Sequence, residues 1–162
     1  MGPVAYNLVA VGIMPSHTGA TFTHEDLRAL AAPFLAAPFG GELLREKLEA
    51  ALAGDESLQL TVQVDEGQPV AMAMVEHIAG GHGTWRVHLI CGDDHCLGVL
   101  ERALALTWSH GGRLAVAELP DEGVFAPLAQ QLRASGFADA ARVEDFFADG
   151  VALVILTRAV GP

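Results

Sequence analysis

Two sets of residues in this chain have the types and spacing to do chemistry. The first is a scatter of carboxylates and imidazoles along predicted strands: Glu76 beside His77, then His88, then Glu118. General acid–base work needs a group that exchanges a proton near the working pH, and carboxylates and imidazoles are the usual choices. Successive strand residues point to opposite sides of a sheet, so one of Glu76 and His77 faces any given side. Alternation places His88 with Arg86 and Ile90, and Glu118 with Leu114 and Val116. Each has a plainer reading: Glu118 as a cap on the following turn, His88 as a partly buried, satisfied histidine. The second set is Cys91, Asp93, His95 and Cys96, with His88 upstream. Zinc takes Cys and His, but no second ligand pair follows. Cys91 closes a strand and Cys96 opens a helix, where small apolar residues are at home. The expectation is two core cysteines, no metal and no redox pair.

Bulk properties narrow the possibilities. At 162 residues the chain suffices for one domain with a substantial core, and 51% hydrophobic against 18% charged residues describes a globular chain. The formal net charge of -11 comes from 20 acidic and 9 basic residues. That charge repels phosphate backbones and argues against nucleic acid as a partner. No apolar run approaches the length of a membrane span. The apolar N-terminus lacks a basic start and reads as a strand, so a cytoplasmic protein is expected. Two cysteines make no disulfide framework.

The elements that must position these residues follow from local patterns. Tyr6 to Met14 reads as a first strand. Thr23 and Asp26 form a reciprocal cap for a helix carrying Leu27, Leu30, Ala31 and Phe34 on one face, limited by Pro33 and Pro38. A second helix follows Gly40-Gly41. Leu58 to Val64 alternates with Gln59, Thr61 and Gln63, which predicts a strand with one wet face. Asp65 to Gln68 turns the chain into a central strand, Val70 to Ile78. Trp85 to Cys91 is the next strand, and Leu97 to Trp108 a helix ending at Gly111-Gly112. Leu114 to Leu119, a helix from Phe125 to Gly136, and strands Ala141 to Phe147 and Val151 to Leu156 complete the order. Phe146 and Phe147 are expected one on each face of their strand. Met72 and Met74 recur at strand spacing as core or cleft lining.

A strand–loop–helix at Val87 to Leu106, a helix running into Gly136-Phe137, and a closing hairpin split by Asp149-Gly150 resemble the GCN5-related N-acetyltransferase (GNAT) family over nearly the whole chain. The resemblance implies an α/β (α+β) fold. It would be a single domain over residues 1–162, with a mixed, mostly antiparallel sheet of about seven strands and helices on both faces. A V-shaped cleft would open between the fourth and fifth strands. It also implies transfer of an acetyl group from acetyl-coenzyme A to an amine. The family's pyrophosphate loop, Gln/Arg-x-x-Gly-x-Gly/Ala, corresponds here to Asp93 through Gly98. Gly98 fits the last small residue, Cys96 replaces the first glycine, and Asp93 replaces the Arg or Gln. Backbone groups of Leu89 and Cys91 would hold the pantetheine arm, and amides of His95, Cys96, Leu97, Gly98 and Val99 would face the diphosphate.

The aspartates oppose that role. One carboxylate roughly 5 Å from a phosphate charge costs about 3 kcal/mol at an effective dielectric near 20, before screening. Asp94 can instead cap the helix with its own carboxylate. Arg102 and Arg133 are candidate sources of positive charge. The tyrosine that many members place four residues before Gly-Phe is Leu132 here, and the single tyrosine is Tyr6. Among bases the order of preference is Glu76, then Glu118 and His88. The acceptor is expected to be a small-molecule or peptide amine, and a homodimer is compatible with the family. The alternative is a non-catalytic module of this fold that has lost acyl-coenzyme A binding.

Overall fold

The structure is a computed structural model that describes residues 22–92 and 96–162 in full and residues 8–12 by backbone alone; Tyr6, Ile13, Met14, Asp93, Asp94 and His95 lie outside the described residues. Elements run β1 (Leu8–Gly12), α1 (His24–Leu35), α2 (Gly41–Leu52), β2 (Leu58–Asp65), β3 (Gln68–His77) and β4 (Thr84–Gly92). Then come α3 (Cys96–Ser109), β5 (Leu114–Pro120), α4 (Phe125–Ala134), β6 (Ala138–Ala148) and β7 (Val151–Ala159). Local chemistry sets several boundaries. Thr23 and Asp26 exchange both bonds of a capping box at the start of α1. The β2–β3 hairpin turns through Glu66 and Gly67, both at positive φ, the conformation a two-residue turn demands.

The strands form one sheet in the order β1-β2-β3-β4-β5-β7-β6. Side chains are described for six of them, β2 to β7; β1 adds a backbone pairing parallel to β2. β4 and β5 are also parallel, and the other neighbours are antiparallel. α1 and α2 pack together and against β2 to β4, α3 packs against the same strands, and α4 lies on β5 and β7. Ala71 through Val75 are buried without alternation, as a strand covered on both faces must be.

Two features pull β4 away from β5. Their pairing stops after three rungs, Thr84–Leu114, Trp85–Ala115 and Arg86–Val116. Beyond it β4 stays with β3 to Gly92, where any Cβ would meet the Val70 carbonyl oxygen at 2.4 Å. The sheet therefore splays open between residues 87–92 of β4 and 117–120 of β5.

The predicted wet face of β2 is not wet. Gln59, Thr61 and Gln63 are all buried, because α3 covers that side of the strand. Arg102 of α3 donates to the Gln63 carbonyl oxygen. The amide nitrogens of Gln59 and Gln63 and the Thr61 hydroxyl have no partner among the described residues. A polar-apolar repeat in a strand reports only residue type; what covers each face is decided by the rest of the chain.

Candidate active site

The splay leaves a gap between β4 and β5, and Glu76, His88 and Glu118 lie beside it. The β3–β4 register shifts between Met74 and Val75: Val75 pairs with Val87 but Met74 with Leu89. His88 is the extra residue of a β-bulge, a device that re-aims one side chain. It turns His88 to the side of Glu76 and Arg86, while Ile90, opposite Ala73, keeps the other face. The expected grouping of His88 with Ile90 is thus corrected by the bulge.

His88 Nε2 lies 2.6 Å from Glu76 Oε2, and Lys47 Nζ from α2 donates to Glu76 Oε1 at 2.8 Å. Both carboxylate oxygens of Glu76 are therefore engaged. Burial works against the ionised carboxylate, but the Lys47 and His88 contacts outweigh it and hold Glu76 below the ordinary glutamate pKa. Burial also dominates at His88, which is 6% exposed. It holds the imidazole below its usual pKa, and the bond to Glu76 offsets this only in part. The pair is an ionised carboxylate orienting a neutral imidazole. With Nε2–H directed at the carboxylate, Nδ1 is the ring's lone-pair nitrogen.

Glu118 stands at the far lip of the splay, half-exposed, with Arg86 Nη2 at 3.6 Å. His88 and Glu118 line one cavity of about 190 Å³ together with Leu43, Phe146, Phe147 and Leu153. Glu76 sits behind His88 rather than in this lining. The His77 ring meets Trp85 at a tilt of 57°, centroids 5.2 Å apart, away from the pair. Phe146 and Phe147 do not divide between two faces. Asp145 takes a left-handed conformation at φ 52 and the β6–β7 register breaks after Val143, so both rings turn to the same cavity. A second cavity of about 410 Å³ lies between the α1–α2 connection and the start of α4. Phe125 and Pro120 line both, so the Phe125 ring, in edge contact with Phe34, separates them.

The start of α3 has the features an anion needs. Cys96 and Val99 are buried, whereas Leu97 and Gly98 are exposed, and nothing lies within 4 Å of where a Cβ on Gly98 would stand. First-turn amides have no acceptor inside their helix. The amides of Cys96 to Val99 are thus donors without helical partners beside the open space over Gly98, and the edge of β4 at Leu89 and Cys91 is not paired with β5. Arg102 and Arg133 do not supply charge there: Arg102 is spent on Gln63 and Arg133 on Asp139. Cys91 is buried and its thiol is pushed up to about 12, chiefly by burial, so it offers no thiolate at neutral pH. Leu132 is fully buried in α4 and cannot donate a proton. Sequence reasoning did not anticipate Lys47 as a partner of the site. Its only signal was the turn-by-turn position on α2, which gives no hint of Glu76 across the sheet.

No protein-family model matches the sequence, and no curated protein sequence matches it either. Solved structures do match. A protein from Desulfovibrio desulfuricans assigned as an acetyltransferase of the GNAT family superposes with a TM-score of 0.73 at 18% identity, over 85% of this chain and 92% of that one. An aminoglycoside 6'-N-acetyltransferase complexed with coenzyme A gives 0.65 at 12%, over 86% and 91%. The ribosomal-protein-S18-alanine N-acetyltransferase from Escherichia coli gives 0.64 at 11%, over 86% and 88%. The fold of this chain is that of the GCN5-related N-acetyltransferases.

Proposed function

We propose that the chain transfers an acetyl group from acetyl-coenzyme A to a primary amine, with His88 as the base. The observation that carries this reading is the His88–Glu76 pair beside the gap between β4 and β5. The diphosphate would rest on the first-turn amides of α3, from Cys96 through Val99, and the pantetheine arm along Leu89 and Cys91. Bound acetyl-coenzyme A would supply its acetyl group to the amine nitrogen, the carbon–sulfur bond breaking and the thiolate taking up the proton that the amine gives up through His88. His88 Nδ1 receives the proton the amine loses, because its own pKa is low enough to keep the ring neutral at pH near 7. Glu76 fixes the tautomer and stabilises the imidazolium that forms, and Lys47 holds Glu76. Glu118 faces the same cavity and is a second acceptor of protons from the cationic amine. Neither the Leu132 side chain nor the Cys91 thiol takes part in proton transfer.

The direct test is a calorimetric titration with coenzyme A alongside a thiol-release assay with acetyl-coenzyme A. Binding in the micromolar range is expected; no heat at millimolar ligand would end the proposal.

A second reading, a binding module without catalysis, is favoured by one specific observation. All nine lysines and arginines of the chain have partners, six of them carboxylates, so no cation is spare for a polyphosphate. Replacing Asp93 and Asp94 by Asn separates the two. A working cradle gains affinity for coenzyme A by a few-fold, whereas an abandoned one still shows no binding.

A further inference from the structure

The cavity beside His88 has a composition that names its occupant more narrowly than an amine. We infer that the acceptor is a small monoamine bearing a flat apolar group, of the arylalkylamine type, and this inference rests on the acetyl-transfer reading above. The cavity's volume of about 190 Å³ lies below the range of about 300–1,000 Å³ usual for drug-sized ligands. That suits a single ring with a short arm.

Its walls are apolar. Leu43 is 51% and Phe146 57% exposed, and the two flank the same opening. Large exposed apolar side chains gathered at one cavity mark a binding surface. The rings are also held in place before any ligand arrives. Phe147 packs on Phe39 at 6.0 Å, and Phe146 meets Phe147 edge-on at 4.9 Å. With Phe34 and Phe125 behind them, five of the chain's seven phenylalanines gather at this end of the splay. A preordered aromatic wall receives a planar group edge-on or offset without the cost of ordering side chains.

The charges agree. Glu118 is the one carboxylate in the cavity lining, and Arg86 already stands beside it. One shared carboxylate orients one ammonium group; a polycation needs several. The amine end therefore points to buried His88 and to Glu118 at the lip of the splay, and the apolar end lies against Phe146, Phe147 and Leu43.

The test uses 2-phenylethylamine, ethanolamine and spermidine as probes, in two measurements. Calorimetry on the protein alone reads amine binding without any acyl donor. Thiol release with acetyl-coenzyme A reads turnover. Supporting results are a kcat/KM for 2-phenylethylamine at least tenfold above those of the other two, and a tenfold weaker binding of it to Phe146→Ala. Trp108→Ala, exposed on α3 and outside the cavity lining, should bind as the parent does. Preference for spermidine or ethanolamine, or unaltered binding by Phe146→Ala, overturns the inference while acetyl transfer stands. If coenzyme A does not bind, the acetyl-transfer reading falls. Calorimetry then still decides the cavity: 2-phenylethylamine bound and lost in Phe146→Ala supports its assignment, and no amine bound overturns it.

Discussion

His88 owes its proposed role to two opposing influences on one ring. Burial lowers its affinity for a proton, and Glu76 restores part of it. Removing the base with His88→Asn should lower kcat by about 10² to 10⁴-fold while leaving coenzyme A affinity within a factor of two, measured by thiol release and calorimetry. Glu76→Gln removes the influence that raises the His88 pKa. The acid limb of the pH–rate profile should therefore move to lower pH, readable independently in the imidazole proton shifts. For stability the sign follows from the same shift. The folded pKa of His88 lies below the ordinary 6.5, so the unfolded chain binds more protons in that window. Stability is full above pH 6.5 and falls as the pH drops through the folded pKa, where the buried ring must charge. Glu76 adds a loss of the same direction below its ordinary 4.5.

Among the elements, the β6–β7 hairpin and the β3–β4 pair each depend on a single irregular residue. Asp145 holds its left-handed backbone while its carboxylate accepts from the Gly150 amide at 2.7 Å. Left-handed φ costs a non-glycine residue about 1–2 kcal/mol, less for Asp than for most. Asp145→Ala should lose both the tolerance and the hydrogen bond and destabilise the fold by roughly 1–2 kcal/mol, measured by urea denaturation. Asp145→Gly should lose only the bond and cost less. In both, release of Phe146 and Phe147 should raise KM for the acceptor more than it lowers kcat. The His88 bulge works the same way for the charged pair: one additional residue in β4 puts the imidazole over Glu76, and Gly92 keeps the strand end on β3.

The whole molecule is an acidic body with its cations spent internally. A polyanionic ligand approaches a net charge of -11 with only backbone amides to receive it. Screening lowers repulsion between like charges, with a Debye length near 10 Å at about 0.1 M salt. Coenzyme A affinity should therefore rise between about 0.01 and 0.15 M salt, the reverse of the trend for sites built from lysine and arginine. Dephospho-coenzyme A, which lacks the 3'-phosphate, should bind at least as well as coenzyme A; a tenfold loss on removing that phosphate would show a cationic contact this chain does not have to spare. No helix among the described residues is long and apolar enough to cross a membrane.

Element order, the capping box at Thr23 and Asp26, the α4 ending at Gly136 and the closing hairpin were all legible in the chain, because each rests on contacts within a few residues. The fold class followed from the resemblance of that order to a known family. Glu76, His88 and Glu118 stood out by type and strand position, and the pairing of Glu76 with His88 and Lys47 did not. Glu76 was ranked first among the bases, and Lys47, 29 residues away, and His88 occupy both its oxygens. The wet face assigned to β2 and the division of Phe146 from Phe147 failed for a common reason. A two-residue alternation presumes a regular strand with one solvated side, and neither the covering helix α3 nor the left turn at Asp145 leaves a mark on that pattern. Short-range chemistry is written in neighbouring residues; which groups meet across the sheet is settled only when distant segments pack, since burial and register belong to the assembled sheet and not to any strand alone.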